Sequence, residues 1–200
     1  MGIRVIRSDD LVRVPWKNGG GTTAEIAAFP KGSVFDTFGW RISMADVASD
    51  GPFSFFPGID RTLIVVQGRG IELEVEGVPY RLDGPSSKLS FAGDDTTVGR
   101  LLAGPIRDLN VMTRRGRFGH RTRTMGSGVT LLSEDASAAF ILALEAPLDV
   151  SVANALHSLR SLDGLVLDPT QDLIQLSGTG RAILVEIVPE VSAGGKDLRP

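Results

Sequence analysis

The chain has 200 residues, 42% of them hydrophobic and 22% charged, with a formal net charge of −3, the composition of a globule able to bury its own core. It has no cysteine and only two histidines, His120 and His157, which excludes disulfides, a thiol nucleophile and thiolate zinc sites and leaves little for metal or acid–base chemistry. The acidic balance makes nucleic acid an unfavoured partner and gives no electrostatic case for an anionic membrane.

The opening MGIRVIRSDD alternates apolar and charged residues without a continuous apolar stretch, so no secretory signal is expected. The longest apolar run, Ala138 to Leu144, is too short to span a bilayer. A cytoplasmic protein with no membrane partner is the expectation. The 24 glycines and 11 prolines punctuate short apolar stretches, which predicts an all-β chain of many short strands with little helix.

NGGGTT, Asn18 to Thr23, comes first in chain order. Three successive glycines permit positive φ and close backbone approach, and successive amides can cradle an anion. GWRISMADV then alternates Trp40, Ile42 and Met44 against Arg41 and Ser43. RTLIVVQG is a continuous apolar run, as in a strand buried on both faces. GIELEVEG alternates Ile71, Leu73 and Val75 against three glutamates, and RDLNVMTR alternates Leu109, Val111 and Thr113 against Asp108, Asn110 and Met112.

RRGRFGHRTRTMGSG, Arg114 to Gly128, holds five arginines and His120 and reads as a solvated basic connection. Beyond it, Val152, Leu156, Leu159 and Leu162 fit one helical face, which predicts a helix over 152–162 with His157 in a structural place. The chain also repeats itself. Leu63 to Gly77 aligns without gaps to Phe140 to Asn154, and Arg81 to Gly93 aligns to Val166 to Gly178 in a different register. That predicts two similar β halves, the second carrying an insertion that holds the helix. The expected division is residues 1–113, a basic linker at 114–128, and a structural half at 129–200. The second half, nearly empty of convergent polar residues, reads as core or as a subunit contact within a homodimer.

PWKNGGGTTAEIAAFP, FGWRISMADVASDGPFSFFPGIDRTLIVVQGRG and GPIRDLNVMTRRG together resemble the HutD/Ves family of bacterial bicupin-like proteins. The motifs cover about residues 11–117, and the second half matches only in pattern. The resemblance implies a bicupin, two fused cupin-like β-barrels. For the HutD branch it implies a regulatory or accessory link to histidine utilisation, with small-molecule binding rather than an assigned catalytic step.

A metal-binding cupin needs G-x5-H-x-H-x3-E-x6-G and a later histidine. Here Gly51 and Gly70 keep the glycine positions, while Pro57, Ile59, Leu63 and Thr96 stand where ligands would be. These are not donors for a transition metal, so no metal and no other cofactor is expected.

Positive charge and amide take their place. If the polar faces point into the first barrel, Arg61, Arg41 and Asn110 converge there with Ser43 and Met112. A guanidinium fork suits the carboxylate of a small anionic metabolite. Trp16 and Trp40 would supply an apolar wall, Asn18, Gly19, Gly20 and Thr22 a binding loop, and Asp60 would orient Arg61. The resemblance points to urocanate or formylglutamate as the ligand. Two other readings stay open. One is a metal-independent lyase, isomerase or amidohydrolase using Asp60, Glu25 and Lys17 as acid and base. The other is a protein- or nucleic-acid-interaction module using the arginine-rich linker.

Overall fold

The protein's computed structural model describes residues 2–34, 36–145, 147–169 and 173–190. Within them the chain is strands throughout, apart from turns and one short 3-10 segment at Ser8–Asp10. No helix among the described residues is long and apolar enough to cross a membrane.

The larger sheet of the first half comprises β2 (Arg13–Pro15), β3 (Gly21–Phe29), β4 (Trp40–Val47), β6 (Ile59–Gln67), β9 (Lys88–Ala92) and β11 (Ile106–Arg114), in the order β2-β3-β4-β11-β6-β9. It faces a smaller sheet ordered β5-β10-β7-β8, from β5 (Gly51–Pro52), β7 (Ile71–Val75), β8 (Val78–Leu82) and β10 (Thr97–Leu101). The larger sheet of the second half contains β12 (Phe118–Met125), β14 (Ala138–Ala143), β17 (Gly164–Leu167) and β19 (Ala182–Pro189), joined at its edge by β1 (Ile3–Ile6) in the order β1-β17-β14-β19-β12. It faces β13 (Gly128–Thr130), β15 (Leu148–Val152), β16 (Ala155–Leu159) and β18 (Ile174–Gly178), ordered β13-β18-β15-β16. Among the described residues no hydrogen-bonded ring closes either half, so each is a flattened, sandwich-like barrel.

Alternation explains the layers. Leu63 and Val65 of β6 pack on Ile71, Leu73 and Val75 inside the first half. Ile64 and Val66 of the same strand point the other way. With Ile42, Met44, Leu109 and Val111 they meet Phe140, Leu142, Ile183 and Val185 of the second half. The continuous apolar run of RTLIVVQG therefore is a strand buried on both faces, as its pattern predicts. Inside the second half, Ala139, Ile141, Ala143, Leu148, Val150, Ala182 and Leu184 form a third apolar layer.

Three features differ from the sequence reading. Residues 152–162 are not helical. β15 and β16 form a hairpin there, turning on Ala153 and Asn154 with φ of 50° and 62°, the positive pair that a tight two-residue turn demands. Leu156, expected on the buried stripe, is 64% exposed.

Residues 114–128 are not a solvated connection. Phe118 to Met125 form β12, paired along its whole length with β19. Most of their arginines are occupied within the chain: Arg114 donates to the carbonyls of Phe38 and Asp36, Arg115 to Asp60 and Asp94, Arg121 to Asp135, and Arg123 to Thr130 and Leu131.

The two halves share one strand order, but in a register different from the sequence match, and the described residues contain no helical insertion. β4-β11-β6-β9 corresponds to β12-β19-β14-β17, and β5-β10-β7-β8 to β13-β18-β15-β16. The match of Arg81–Gly93 to Val166–Gly178 is thus displaced by one strand, and its residues 170–172 lie outside the described residues. The gapless match along β6 is one residue out, because Leu63 faces its barrel interior whereas Phe140 faces the other core. The inward-facing counterpart of Leu63 is Ile141. Finally, β1 pairs with β17 of the second half, so the first residues of the chain tie the two halves together.

Candidate functional site

Strand pairing builds the polar interior of the first barrel. Across β4, β11 and β6, Arg41 lies opposite Met112 and Met112 opposite Arg61. In the next row Ser43 faces Asn110 and Asn110 faces Leu63, and beyond it stand Ala45, Asp108 and Val65. Opposed residues in antiparallel strands share a face, and Leu63 and Val65 mark this one as the barrel interior. Arg61, Arg41, Asn110, Ser43 and Met112 are therefore brought together as the alternation predicts.

Arg61 is 4% exposed. Its Nη2 donates to Asn110 Oδ1 at 2.9 Å and its Nη1 to the Ser54 carbonyl at 3.3 Å. Nε has no partner. The rings of Phe91, Phe56 and Phe53 lie 5.0, 5.3 and 5.6 Å from the guanidinium carbon, a cation–π cage. No described residue puts a carboxylate in direct contact with it. The nearest negative charge is relayed: Asn110 Nδ2 donates to Asp108 Oδ1, and Asp108 Oδ2 is buried without a partner.

Burial dominates both charges. It pushes the Arg61 guanidinium down to about 10, against the attraction of Asp108. It pushes the Asp108 carboxyl up to about 7, against the pull of Arg61 and the Asn110 hydrogen bond. Burying charge without a contacting counter-ion costs several kcal/mol. Among the described residues the second half contains no such arrangement: by paired register, Arg61, Asn110 and Asp108 correspond to Ala139, Leu184 and Ala182.

Arg41, though in the same row as Arg61, is engaged elsewhere, and the other expected site residues are dispersed. Arg41 reaches Glu25 Oε2 at 3.0 Å on the interior face, near solvent. Trp16 stands at the edge of the same core, its Nε1 donating to Thr23 Oγ1 at 2.7 Å. Trp40 is on the opposite face, stacked on Phe29 at 6.2 Å in the core between the halves, so it is not a wall of the barrel. Thr22 also points away, with Oγ1 3.3 Å from Asp46 Oδ2.

The glycine turn is a closed hairpin connection rather than an open cradle. Gly19 N donates to Trp16 O at 3.0 Å and Gly20 N to Asn18 Oδ1 at 3.0 Å. Gly19 takes φ +72°, and a Cβ on Gly21 would stand 2.2 Å from the Asp46 carbonyl oxygen.

Asp60 does not orient Arg61. Consecutive strand residues point to opposite faces, and the partner of Asp60 is Arg115 at 2.7 Å. Asp60 and Glu25 sit on opposite faces of the sheet, which removes the carboxylate pair on which acid–base catalysis was to rest.

Sequence reasoning missed Asp108, although it lies two residues before Asn110 on the same face. It also missed His120. That side chain is half-buried between Thr62 Oγ1, 2.7 Å from Nε2, and Thr113 Oγ1, 2.9 Å from Nδ1. Desolvation pushes its pKa from 6.5 down to about 4. Reading 114–128 as a linker hid the strand that places it.

A transition metal does not fit the first barrel. Ile59 and Leu63, at two of the metal-cupin ligand positions, are buried in apolar clusters, and neither can donate to a metal.

The HutD family model matches residues 8–184. An "Uncharacterized 21.2 kDa protein in hutC 3'region" of Pseudomonas putida is 36% identical over 187 residues, 93% of this chain and 97% of the relative. A conserved protein of unknown function from Pseudomonas aeruginosa PAO1 superposes with a TM-score of 0.85 at 31% identity, covering 94% of this chain and all of that one. The structure of HutD from Pseudomonas fluorescens SBW25, formate condition, superposes with a TM-score of 0.80 at 35% identity, covering 95% of this chain and all of that one. Salicylate 1,2-dioxygenase from Pseudoaminobacter salicylatoxidans superposes at 0.66 with 8% identity over 96% of this chain and 86% of that one. That last likeness concerns the fold alone, which is the bicupin.

Proposed function

The chain belongs to the HutD family, and from that premise we propose that its first barrel binds a small carboxylate-bearing metabolite and so adjusts histidine utilisation. The observation that carries this reading is Arg61, a buried guanidinium whose Nε–H has no partner and which no described carboxylate contacts. A ligand carboxylate would supply the missing counter-charge, and a charge-assisted bond in so dry a place is strong. Arg41 occupies the same row two strands away, about 10 Å by strand spacing. That span suits a ligand with an anion at one end and a polar group at the other. Urocanate and formylglutamate both have this form, and the P. putida relative from the hutC region supports the choice of pathway. The separation of Asp60 from Glu25 favours binding over turnover.

Thermal unfolding in the presence of small carboxylic acids tests the reading. At a hundred times Kd a ligand adds about 2.7 kcal/mol, roughly 5 to 10 °C for a chain of this size. Urocanate or formylglutamate should give such a shift and their amides should not. Equal shifts from acid and amide, or none from any acid, would overturn the proposal.

A further inference from the structure

The edge strands β9 and β12 of the two large sheets do not meet, and between them lies a cleft of about 610 Å³. It is on the face of β6 opposite the Arg61 side chain: Asp60 and Thr62 point towards it while Arg61 and Leu63 point into the barrel. One strand thus separates two polar environments. The volume falls in the range of small-molecule sites, roughly 300 to 1,000 Å³.

The floor of this cleft is uncharged and rich in hydroxyls. Ser90 Oγ lies 2.7 Å from Thr62 Oγ1, which lies 2.7 Å from His120 Nε2, and His120 Nδ1 continues to Thr113. Held well below its ordinary pKa, the imidazole is neutral at physiological pH, so it donates one hydrogen bond and accepts the other. Ser90 is exposed and keeps hydrogen-bonding capacity for a guest.

The rim carries the charge. Lys88 Nζ donates to Thr122 O at 2.7 Å and to Thr122 Oγ1 at 2.9 Å, which leaves one of its three donors uncommitted. No described carboxylate pairs with it. The other charged groups here are already matched: Asp60 by Arg115, and Arg121 by both oxygens of Asp135 at 2.8 Å. The unmatched charge of the cleft is therefore one ammonium beside a row of hydroxyls.

We propose that this cleft is a second ligand site, taking a small hydroxylated organic anion whose acidic group meets Lys88 and whose hydroxyls meet the exposed Ser90, which the buried Thr62 holds in place. The acidic group is a carboxylate or a phosphate ester. Arg61 and Phe91 also line the cleft, but alternation along β6 turns the Arg61 side chain into the barrel, and the hydroxyl and Lys88 contacts of the cleft involve neither Asn110 nor Asp108.

Nuclear magnetic resonance of the labelled full chain at constant pH tests this, with gluconate, glycerol 3-phosphate and neutral glycerol as probes. Saturable shifts of the His120 ring and of the Thr62, Ser90 and Thr122 amides with at least one anion, and none with glycerol, are expected. Which anion acts identifies the acidic group. Lys88→Ala, at an exposed position that does not threaten the fold, should weaken that binding roughly tenfold or more. Thr62→Val should weaken it while leaving the first-barrel signals in place. Absence of saturable shifts, shifts confined to Arg61 and Asn110, or unchanged affinity in Lys88→Ala would overturn the proposal.

Discussion

Arg61 and Asp108 face the same barrel interior, and the side chain of Asn110 joins them, accepting from one and donating to the other. Each end of this relay has one buried atom without a partner. Asn110→Leu, close in volume but unable to bond either end, leaves both charges stranded. Loss of such a bridge costs about 3 to 5 kcal/mol. Denaturant unfolding should show that loss together with weakened acid binding, whereas Ser43→Ala in the same row should change stability far less.

Asp108 contributes a slope to the pH–stability curve. Its folded pKa is raised to about 7, against about 3.9 in an unfolded chain. Between those values the unfolded chain releases a proton that the folded chain retains, so stability falls as pH rises from 4 to 7. Asp108→Asn should remove that falling contribution, which thermal unfolding across pH 4 to 8 would register.

His120 works in the opposite sense. Its folded pKa is depressed to about 4, against about 6.5 unfolded. Below 6.5 the unfolded chain takes up a proton that the folded one refuses, so stability falls as pH falls, by on the order of 3 kcal/mol at full extent. The two slopes oppose each other over nearly the same window. His120→Gln should therefore unmask the Asp108 slope, and Asp108→Asn the His120 slope. Two single variants with identical pH profiles would contradict both assignments.

The second half provides an internal comparison. Leu184, the counterpart of Asn110, is fully buried, and Leu184→Ala should cost about 2 to 5 kcal/mol. Because its layer has no Arg61 equivalent, calorimetric affinity for the acid should not change.

Two glycines separate steric need from sequence neighbourhood. Gly21→Ala would press a methyl against the Asp46 carbonyl, whereas a Cβ on Gly51 meets nothing within 4 Å. The first should lower stability by about 1 to 3 kcal/mol and the second by less than about 0.5 kcal/mol, measured by urea unfolding.

Much of the first half was legible because strand period two assigns faces directly. Arg41, Ser43, Asn110, Met112 and Arg61 needed only the alternation of three segments to be placed together. Trp40 follows the same rule to the opposite face, and its assignment to the ligand wall ignored its alternation with Arg41. Where local cues conflict with tertiary pairing, the reading failed. Arg114 to Met125 looks like a solvated basic loop because its charges are visible, while the carboxylates and carbonyls that match them come from distant strands. Val152 to Leu162 matches helical spacing by sequence alone, while the hairpin sends its apolar residues different ways: Val152 and Leu159 to the second-half core, Leu162 to the core between the halves and Leu156 to solvent. The buried state of Asp108 and the hydroxyl partners of His120 are properties of sheet packing, and no local pattern carries them.

The most direct test is a calorimetric titration of the best-binding acid into the wild-type protein and into Arg61→Ala, with circular dichroism showing that the variant is folded. Removing a desolvated arginine from a carboxylate should weaken binding roughly 30-fold or more. An affinity unchanged in the folded variant would mean that Arg61 does not read the carboxylate and that the interior of the first barrel is not the ligand site.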